Sequence, residues 1–228
     1  MDCDRKSSWL NWWQMLRKTG DLQVHDLLHI DPDSLLGITA PSWVKPALSS
    51  CPWVVVRRAR AAAGEIAVGV RGDTRGQRWG GFLSKDLIGK VVRPADLLLV
   101  GQSSTPRVTP AIKVLQQVID RWRDVTLPWG PTGSVGFELA TGSQVTSDAS
   151  DLDIAIRAPA RITVEKARAL WQRIIGLQTR VDIRVETPAC GFSLQEYACT
   201  SSTRILLHYP DGERLGDDPW REWSEIAS

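Results

Sequence analysis

Cysteine is scarce and unpatterned. Cys3, Cys51, Cys190 and Cys199 are the whole complement in 228 residues, and no two form a Cys-x-x-Cys pair. Metal-ligand spacing is therefore missing, and four thiols in so long a chain do not make a disulfide framework. Reduced thiols of a cytoplasmic protein are the expected state. The three histidines, His25, His29 and His208, are equally isolated and read as surface or structural residues. An excess of one charge is also lacking: 28 Lys and Arg stand against 26 Asp and Glu, a formal charge of +2. That balance argues against a dedicated nucleic-acid binder and leaves only local basic clusters to hold a small polyanion. No stretch approaches the roughly 20 apolar residues of a membrane helix. At the N-terminus, MDCDRKSSWLNWWQMLRK breaks every apolar run with charge and offers no small-residue cleavage site, so it does not read as a signal peptide. There is no internal repeat. The expectation is a soluble cytoplasmic protein with neither nucleic acid nor membrane as partner.

What is present is an ordinary globular composition, 43% hydrophobic and 24% charged, with enough length for one large or two small cores. Eleven tryptophans are spread along the chain and read as packing groups rather than a base-stacking platform. Residues 1–21 look like an extension carrying the Trp9–Trp13 patch. Residues 22–100 read as a small, mainly β module. Loops and short helices broken by Pro32, Gly37, Pro41 and Pro46 come first, then the β-branched runs Trp53–Arg57 and Ile66–Val70 amid turn glycines. Residues 101–228 read as a mixed-sheet domain with helices. A helix is marked by Ile112, Leu115, Val118, Ile119 and Trp122 on one face. Strand Leu152–Ile156, a helix from Val164 to Leu177, strand Arg180–Glu186, a capping box of Ser193 with Glu196 and a last strand Arg204–His208 follow. The fold class is α+β.

The chemistry concentrates in TGSVGFELATGSQVTSDASDLD (132–153) and VDIRVE (181–186). Gly133-Ser134 precedes a helix, whose N-terminal N–H groups suit phosphate oxygens, while glycine permits close backbone approach. By itself such a pair more often only caps a helix. In Asp151-Leu152-Asp153 the two carboxylates project from one face of a strand and the apolar residues from the other. Paired carboxylates repel unless a cation lies between them, and hard oxygens suit Mg²⁺, although an isolated Asp-x-Asp is more often a solvated strand end. In the later strand, Asp182 lies opposite the Val181, Ile183 and Val185 face. If the two strands are neighbours, Asp182 reaches the same side as Asp151 and Asp153. Three carboxylates facing a phosphate-binding turn is what phosphoryl or nucleotidyl transfer needs.

This pattern resembles the polymerase-β-like nucleotidyltransferase superfamily: a Gly-Ser turn, then Asp-x-Asp, then a later Asp. The interval from Ser134 to Asp151 is longer than that superfamily usually shows, so residues 141–150 are expected to form an extended loop. A closer resemblance lies in GSVGFELATG, SDLDI, RAP and VDIRVETPACGFSLQEY, with HDLL, PWVVVRR and VGVRG upstream and DDPW near the C-terminus. Together these are similar to malonate decarboxylase holo-acyl carrier protein synthase, the phosphoribosyl-dephospho-CoA transferase, from about His25 to Trp220. The resemblance implies transfer of the phosphoribosyl-dephospho-CoA unit from its triphosphate precursor, triphosphoribosyl-dephospho-CoA, to a serine of the apo acyl carrier protein subunit of malonate decarboxylase, with release of pyrophosphate. It also implies roles. Gly133 and Ser134 would hold the β- and γ-phosphates and Asp151 and Asp153 would bind Mg²⁺. Asp182 would complete the metal site or act as base.

Other residues carry less. Arg57, Arg58, Arg71, Arg75 and Arg78 outnumber nearby acids. Arg71 is the first candidate among them for contact with substrate phosphate or an acidic carrier, against an equally plain reading as a solvated charged face. Glu186 shares the face of Asp182 and either tunes the site or is solvated. Glu138, one turn into the phosphate-binding helix, is explained by helix stability alone. Two competing functions remain: a nucleotidyltransferase acting on another hydroxyl acceptor, or a non-catalytic binding module on a degenerate fold. The three aspartates argue against the second.

Overall fold

The computed structural model of the chain describes residues 22–35, 40–74, 76–102 and 108–221. The extension at 1–21 with its Trp9–Trp13 patch, Cys3 and Arg75 lie outside the described residues. Two compact units share the chain: Met1–Arg57 with Ala61–Val92, and Arg58–Arg60 with Arg93–Ser228.

The first unit is a five-stranded antiparallel sheet. Its strands are β1 (Leu27–Ile30), β2 (Trp53–Val56), β3 (Glu65–Arg71), β4 (Arg78–Ser84) and β5 (Ile88–Val92), in the order β4-β3-β2-β1-β5. Helix α1 (Val44–Ser50) lays Val44 and Leu48 on a core of Leu28, Ile30, Val54, Val56, Val68 and Val70. Each such side chain contributes about 1.5–3 kcal/mol by leaving water. β1 departs from the expectation of loops across 22–48. Four residues, LLHI, are too few to show strand alternation, yet pairing to β2 on one side and β5 on the other supplies their backbone hydrogen bonds. In the β3–β4 hairpin Gly69 faces Gly80 in register, and a Cβ on either would meet the Arg57 side chain. Two glycines thus leave a trough in which Arg57 lies across the sheet.

The second unit begins with α2 (Leu97–Gln102) and α3 (Pro110–Arg121). Pro110 starts α3 at the position where its missing N–H costs nothing. Ala111, Ile112, Val114, Leu115 and Val118 are buried along it, the face that the sequence periodicity marks. Trp122 ends the helix, 1% exposed, with its ring edge-on to Trp129, centroids 4.9 Å apart. Then follow β6 (Trp129–Pro131), α4 (Gly133–Thr141), β7 (Leu152–Arg157), α5 (Val164–Gln172), β8 (Val181–Glu186), β9 (Gly191–Ser193), α6 (Leu194–Cys199), β10 (Ile205–Tyr209) and β11 (Gly212–Gly216). The sheet order is β11-β10-β9-β8-β7-β6. β7 and β8 run parallel, joined by the α5 crossover, and the other described pairs in this sheet are antiparallel.

Several boundaries differ from the sequence reading. α5 is capped by Thr163, whose hydroxyl accepts from the Lys166 N–H at 3.2 Å, but it stops at Gln172 rather than 177. A left-handed glycine, Gly176 at φ +81°, turns the chain shortly afterwards. Ser193 does cap α6, accepting from the Glu196 N–H at 3.4 Å. The Glu196 carboxylate turns instead to the Leu206 N–H at 3.1 Å, so only half of the reciprocal box forms. Beyond β10 the chain makes a further strand, β11, closing a hairpin at the sheet edge.

One face of the second sheet is apolar. Leu152, Ile154, Ile156, Ile183, Val185, Phe192 and Leu207 are at most 1% exposed. α3 and α4 contact β7, and α6 contacts β8. On the opposite face of β7 and β8 stand Asp153, Ala155 and Arg157 beside Asp182, Arg184 and Glu186. This arrangement, an oily face under helices and a polar face with half-buried acids, follows from the two-residue period of both strands. No helix among the described residues is long and apolar enough to cross a membrane.

Candidate active site

The site is built where β6 turns into α4 beside β7. β6 pairs with β7, placing Pro131 opposite Ile154, and the Thr132 N–H donates to the Asp153 carbonyl at 2.8 Å. Gly133 then takes φ +58°, a left-handed backbone that side chains resist. A Cβ built on Gly133 would overlap the Asp153 carboxylate, so this glycine makes room for the acid as well as the turn. Gly136 plays a different part: its Cβ would stand 2.6 Å from the Pro131 carbonyl oxygen, so the helix packs onto β6 only without one. The start of α4 therefore lies directly beside the Asp153 carboxylate.

Asp182 joins Asp153 through the parallel pair. The register sets Asp153 opposite Asp182 and Ile154 opposite Ile183, and parallel neighbours lie about 4.8 Å apart. Both acids are half-buried. Asp151 precedes β7 by one residue and is also half-buried. Asp153 and Asp182 are thus brought together. Among the described residues, however, no group of three His, Cys, Asp or Glu forms a ready metal site, so the structure does not gather Asp151 into a preformed triad. A carboxylate pair still fits Mg²⁺, which commonly takes one or two protein carboxylates and fills its other positions with water and substrate phosphates. Arg71 ends β3 in the first unit, opposite Arg78 in register.

The approach to Asp151 is held by Glu138. This buried carboxylate accepts at one oxygen, Oε2, from the Val145 N–H at 2.9 Å, the Thr146 N–H at 2.7 Å and the Thr146 hydroxyl at 2.7 Å. Residues 142–151 contain no helix or strand, and Glu138 pins their middle. Helix stability is therefore too small a role for it. The spacing of seven and eight residues from Glu138 to its partners gives no local signal in the sequence.

Further along the polar face a second constellation appears. Arg58 pairs with Glu186, both largely buried. Gly191, opposite Glu186 in register, leaves room for them, since a Cβ there would stand 3.0 Å from the Glu186 carboxylate. Burial draws the Arg58 guanidinium below its ordinary value, and nearby Arg184 adds to the effect while Cys190 opposes it. Next to this pair, Arg184 hydrogen-bonds the His208 Nε2, and His208 Nδ1 meets the Glu213 carboxylate at 2.8 Å. His208 is thus not isolated. A usable signal was present in HYPDGERLG: a turn-forming Pro-Asp-Gly between alternating segments marks a hairpin, and its register places His208 opposite Glu213.

With this geometry in view, comparison with known proteins is decisive. The description "Phosphoribosyl-dephospho-CoA transferase MdcG C-terminal domain" matches residues 99–219, and the corresponding N-terminal domain matches residues 23–94. The chain belongs to the phosphoribosyl-dephospho-CoA transferase family. Relatives bearing that name agree over nearly the whole of both chains. One from Pseudomonas putida is 40% identical over 196 residues, 86% of this chain and 94% of its own. One from Azotobacter vinelandii is 40% identical over 202 residues, 88% and 95%, and one from Pseudomonas aeruginosa 36% over 206 residues, 90% and 97%. No solved structure matches the chain. As a member of the phosphoribosyl-dephospho-CoA transferase family the protein is a transferase enzyme, and the two family matches fall one on each side of residues 95–98.

Proposed function

We propose that this transferase moves the phosphoribosyl-dephospho-CoA unit from triphosphoribosyl-dephospho-CoA to a serine hydroxyl of the apo acyl carrier protein subunit of malonate decarboxylase. Pyrophosphate is the leaving group. The observation that carries the reading is the Asp153 carboxylate lying against Gly133 at the start of α4 and in register with Asp182. An acid held beside the start of a helix suits a polyphosphate and a divalent cation together.

In this reading the N–H groups at Gly133 and Ser134, with the Ser134 hydroxyl, bind oxygens of the β- and γ-phosphates. Asp151, Asp153 and Asp182 are the residues that would hold Mg²⁺, which when bound supplies charge neutralisation to the triphosphate. The serine oxygen forms a new bond to the α-phosphorus as the bond from that phosphorus to the pyrophosphate oxygen breaks. The serine proton passes to a carboxylate of the site, Asp182 being the one proposed as base.

The test mixes the protein with apo carrier, the triphosphate donor and Mg²⁺ and weighs the carrier by mass spectrometry. A mass increase of one phosphoribosyl-dephospho-CoA unit, lost by at least about 10²-fold in Asp153→Asn, is expected. An unmodified carrier with the wild-type protein would overturn the assigned acceptor, and full turnover by Asp153→Asn would overturn the assigned site.

A further inference from the structure

The Arg184–His208–Glu213 chain lies on the same sheet face as the paired aspartates but is not used by the reaction just outlined. Its hydrogen-bond directions are fixed by chemistry. A guanidinium only donates, so the His208 Nε2 facing Arg184 Nη1 is the acceptor. His208 is therefore the neutral tautomer with its proton on Nδ1, donated to the Glu213 carboxylate. The outcome is an arginine held by an uncharged partner. Among the described residues Arg184 forms no ion pair with a carboxylate, in contrast to Arg58, Arg161 and Arg173 of the same unit, each of which does. The small Ala155 stands beside Arg184 in register on β7 and Ser193 on β9, so neither neighbour covers it. Arg184 thus has N–H groups to spare on a half-buried face.

Its distance along the strand limits which anion it can serve. Arg184 follows Asp182 by two residues, about 6.6 Å along β8, and leans toward β10. That is too far to share an oxygen of the phosphorus under attack beside Asp153, but within the span of a polyphosphate seated there. We propose that Arg184 is a phosphate-binding residue of the donor site, with His208 and Glu213 as the positioning residues that hold its guanidinium. This rests on the donor assigned above. Two phosphate groups of such a donor have the chemistry to reach it, the departing pyrophosphate part and the internal diphosphate of the dephospho-CoA part.

Binding to the full-length protein, measured by calorimetry without carrier or turnover, separates them. The probes are inorganic tripolyphosphate and dephospho-CoA. Arg184→Met is expected to weaken one probe about tenfold and leave the other within twofold; the weakened probe identifies the group. In turnover the same variant should raise KM for the donor about tenfold with kcat and the carrier KM nearly unchanged. His208→Leu should reproduce a loss of about fivefold. His208→Gln, whose amide can still accept from the guanidinium, should restore most of it. Glu213→Ala, at an exposed side chain, should give a smaller loss in the same direction without unfolding. If wild-type protein modifies no carrier, the function proposed above fails, while the binding measurements still decide the role of Arg184. Unchanged affinity for both probes in folded Arg184→Met, or equal losses in His208→Leu and His208→Gln, would overturn the inference.

Discussion

Replacing Gly133 by alanine tests the geometry of the site most directly, because a second glycine in the same helix serves as its control. Gly133 sits at φ +58° and Gly142, which ends α4, at φ +74°. An alanine at either position bears the left-handed penalty of about 1–2 kcal/mol. Around Gly142 nothing lies within 4 Å of the added Cβ, whereas at Gly133 the Cβ overlaps the Asp153 carboxylate. Displacing that acid adds about 1–2 kcal/mol of overpacking. Gly133→Ala should therefore cost about 2–4 kcal/mol and Gly142→Ala about half as much. At roughly 3 °C per kcal/mol, thermal unfolding should fall by about 6–12 °C and 3–6 °C respectively. Both proteins stay folded at 25 °C, so carrier modification can be timed in each. An acid moved by about 1 Å costs on the order of 10²-fold in rate, and that loss should appear in Gly133→Ala alone. Equal melting shifts and equal rates for the two variants would refute the claim that Gly133 exists to admit Asp153.

Three further outcomes follow from the same contacts. Glu138→Ala strips one acceptor from three donors, two of them on the buried Thr146, and should cost about 2–4 kcal/mol in urea unfolding; Glu138→Gln should cost less. Burial pushes the Cys190 thiol up, against the weaker opposing pull of Thr187 and Arg58, while Cys199 is exposed. Mass analysis after iodoacetamide at pH 8 should find Cys199 alkylated and Cys190 unmodified until denaturant is added. For Asp218, burial raises the carboxyl, but the Trp220 N–H and Arg161 outweigh it and hold the group below its ordinary value. A depressed acid stabilises the fold above the usual carboxylate range and stops doing so as pH falls through its folded value. The destabilisation of Asp218→Asn should accordingly be measurable at pH 7 and vanish near pH 2; the same loss at both pH values would contradict it.

Much of the site was legible in the sequence because strand alternation is a local property. The DLDIAI and VDIRVE runs reveal which residues are oily and which are acidic, and the structure bears out that division: Ile154 and Ile183 are buried, and Asp153 and Asp182 share the other face. The α3 helix was legible for the same reason, with its apolar residues three and four apart. What a local pattern does not contain is a long-range partner. Nothing near Glu138 announces bonds to Val145 and Thr146, and nothing near Arg184 names His208, 24 residues away. β1 escaped because LLHI is short and takes its stability from two flanking strands, whereas β11 was announced by the Pro-Asp-Gly turn before it and takes its register from pairing with β10. Asp151 marks the other limit. Its alternation with Asp153 is visible in the sequence, but it stands before β7 begins, where the ladder no longer dictates direction.

The parallel pairing of β7 with β8 has a consequence for how chains of this kind can change length. The two acids meet because each strand starts at a fixed phase of its two-residue alternation. An insertion in the segments leading into or out of α5, at 158–163 or 173–180, alters only the excursion between strands and leaves that phase untouched. Deleting one residue within 152–157 or 181–186 inverts everything beyond it. A carboxylate would then point among the aliphatic side chains and an isoleucine toward the polar face, with the desolvation of an unpaired charge to bear. A change of length in the crossover preserves the phase of both ladders, and one inside either ladder destroys it.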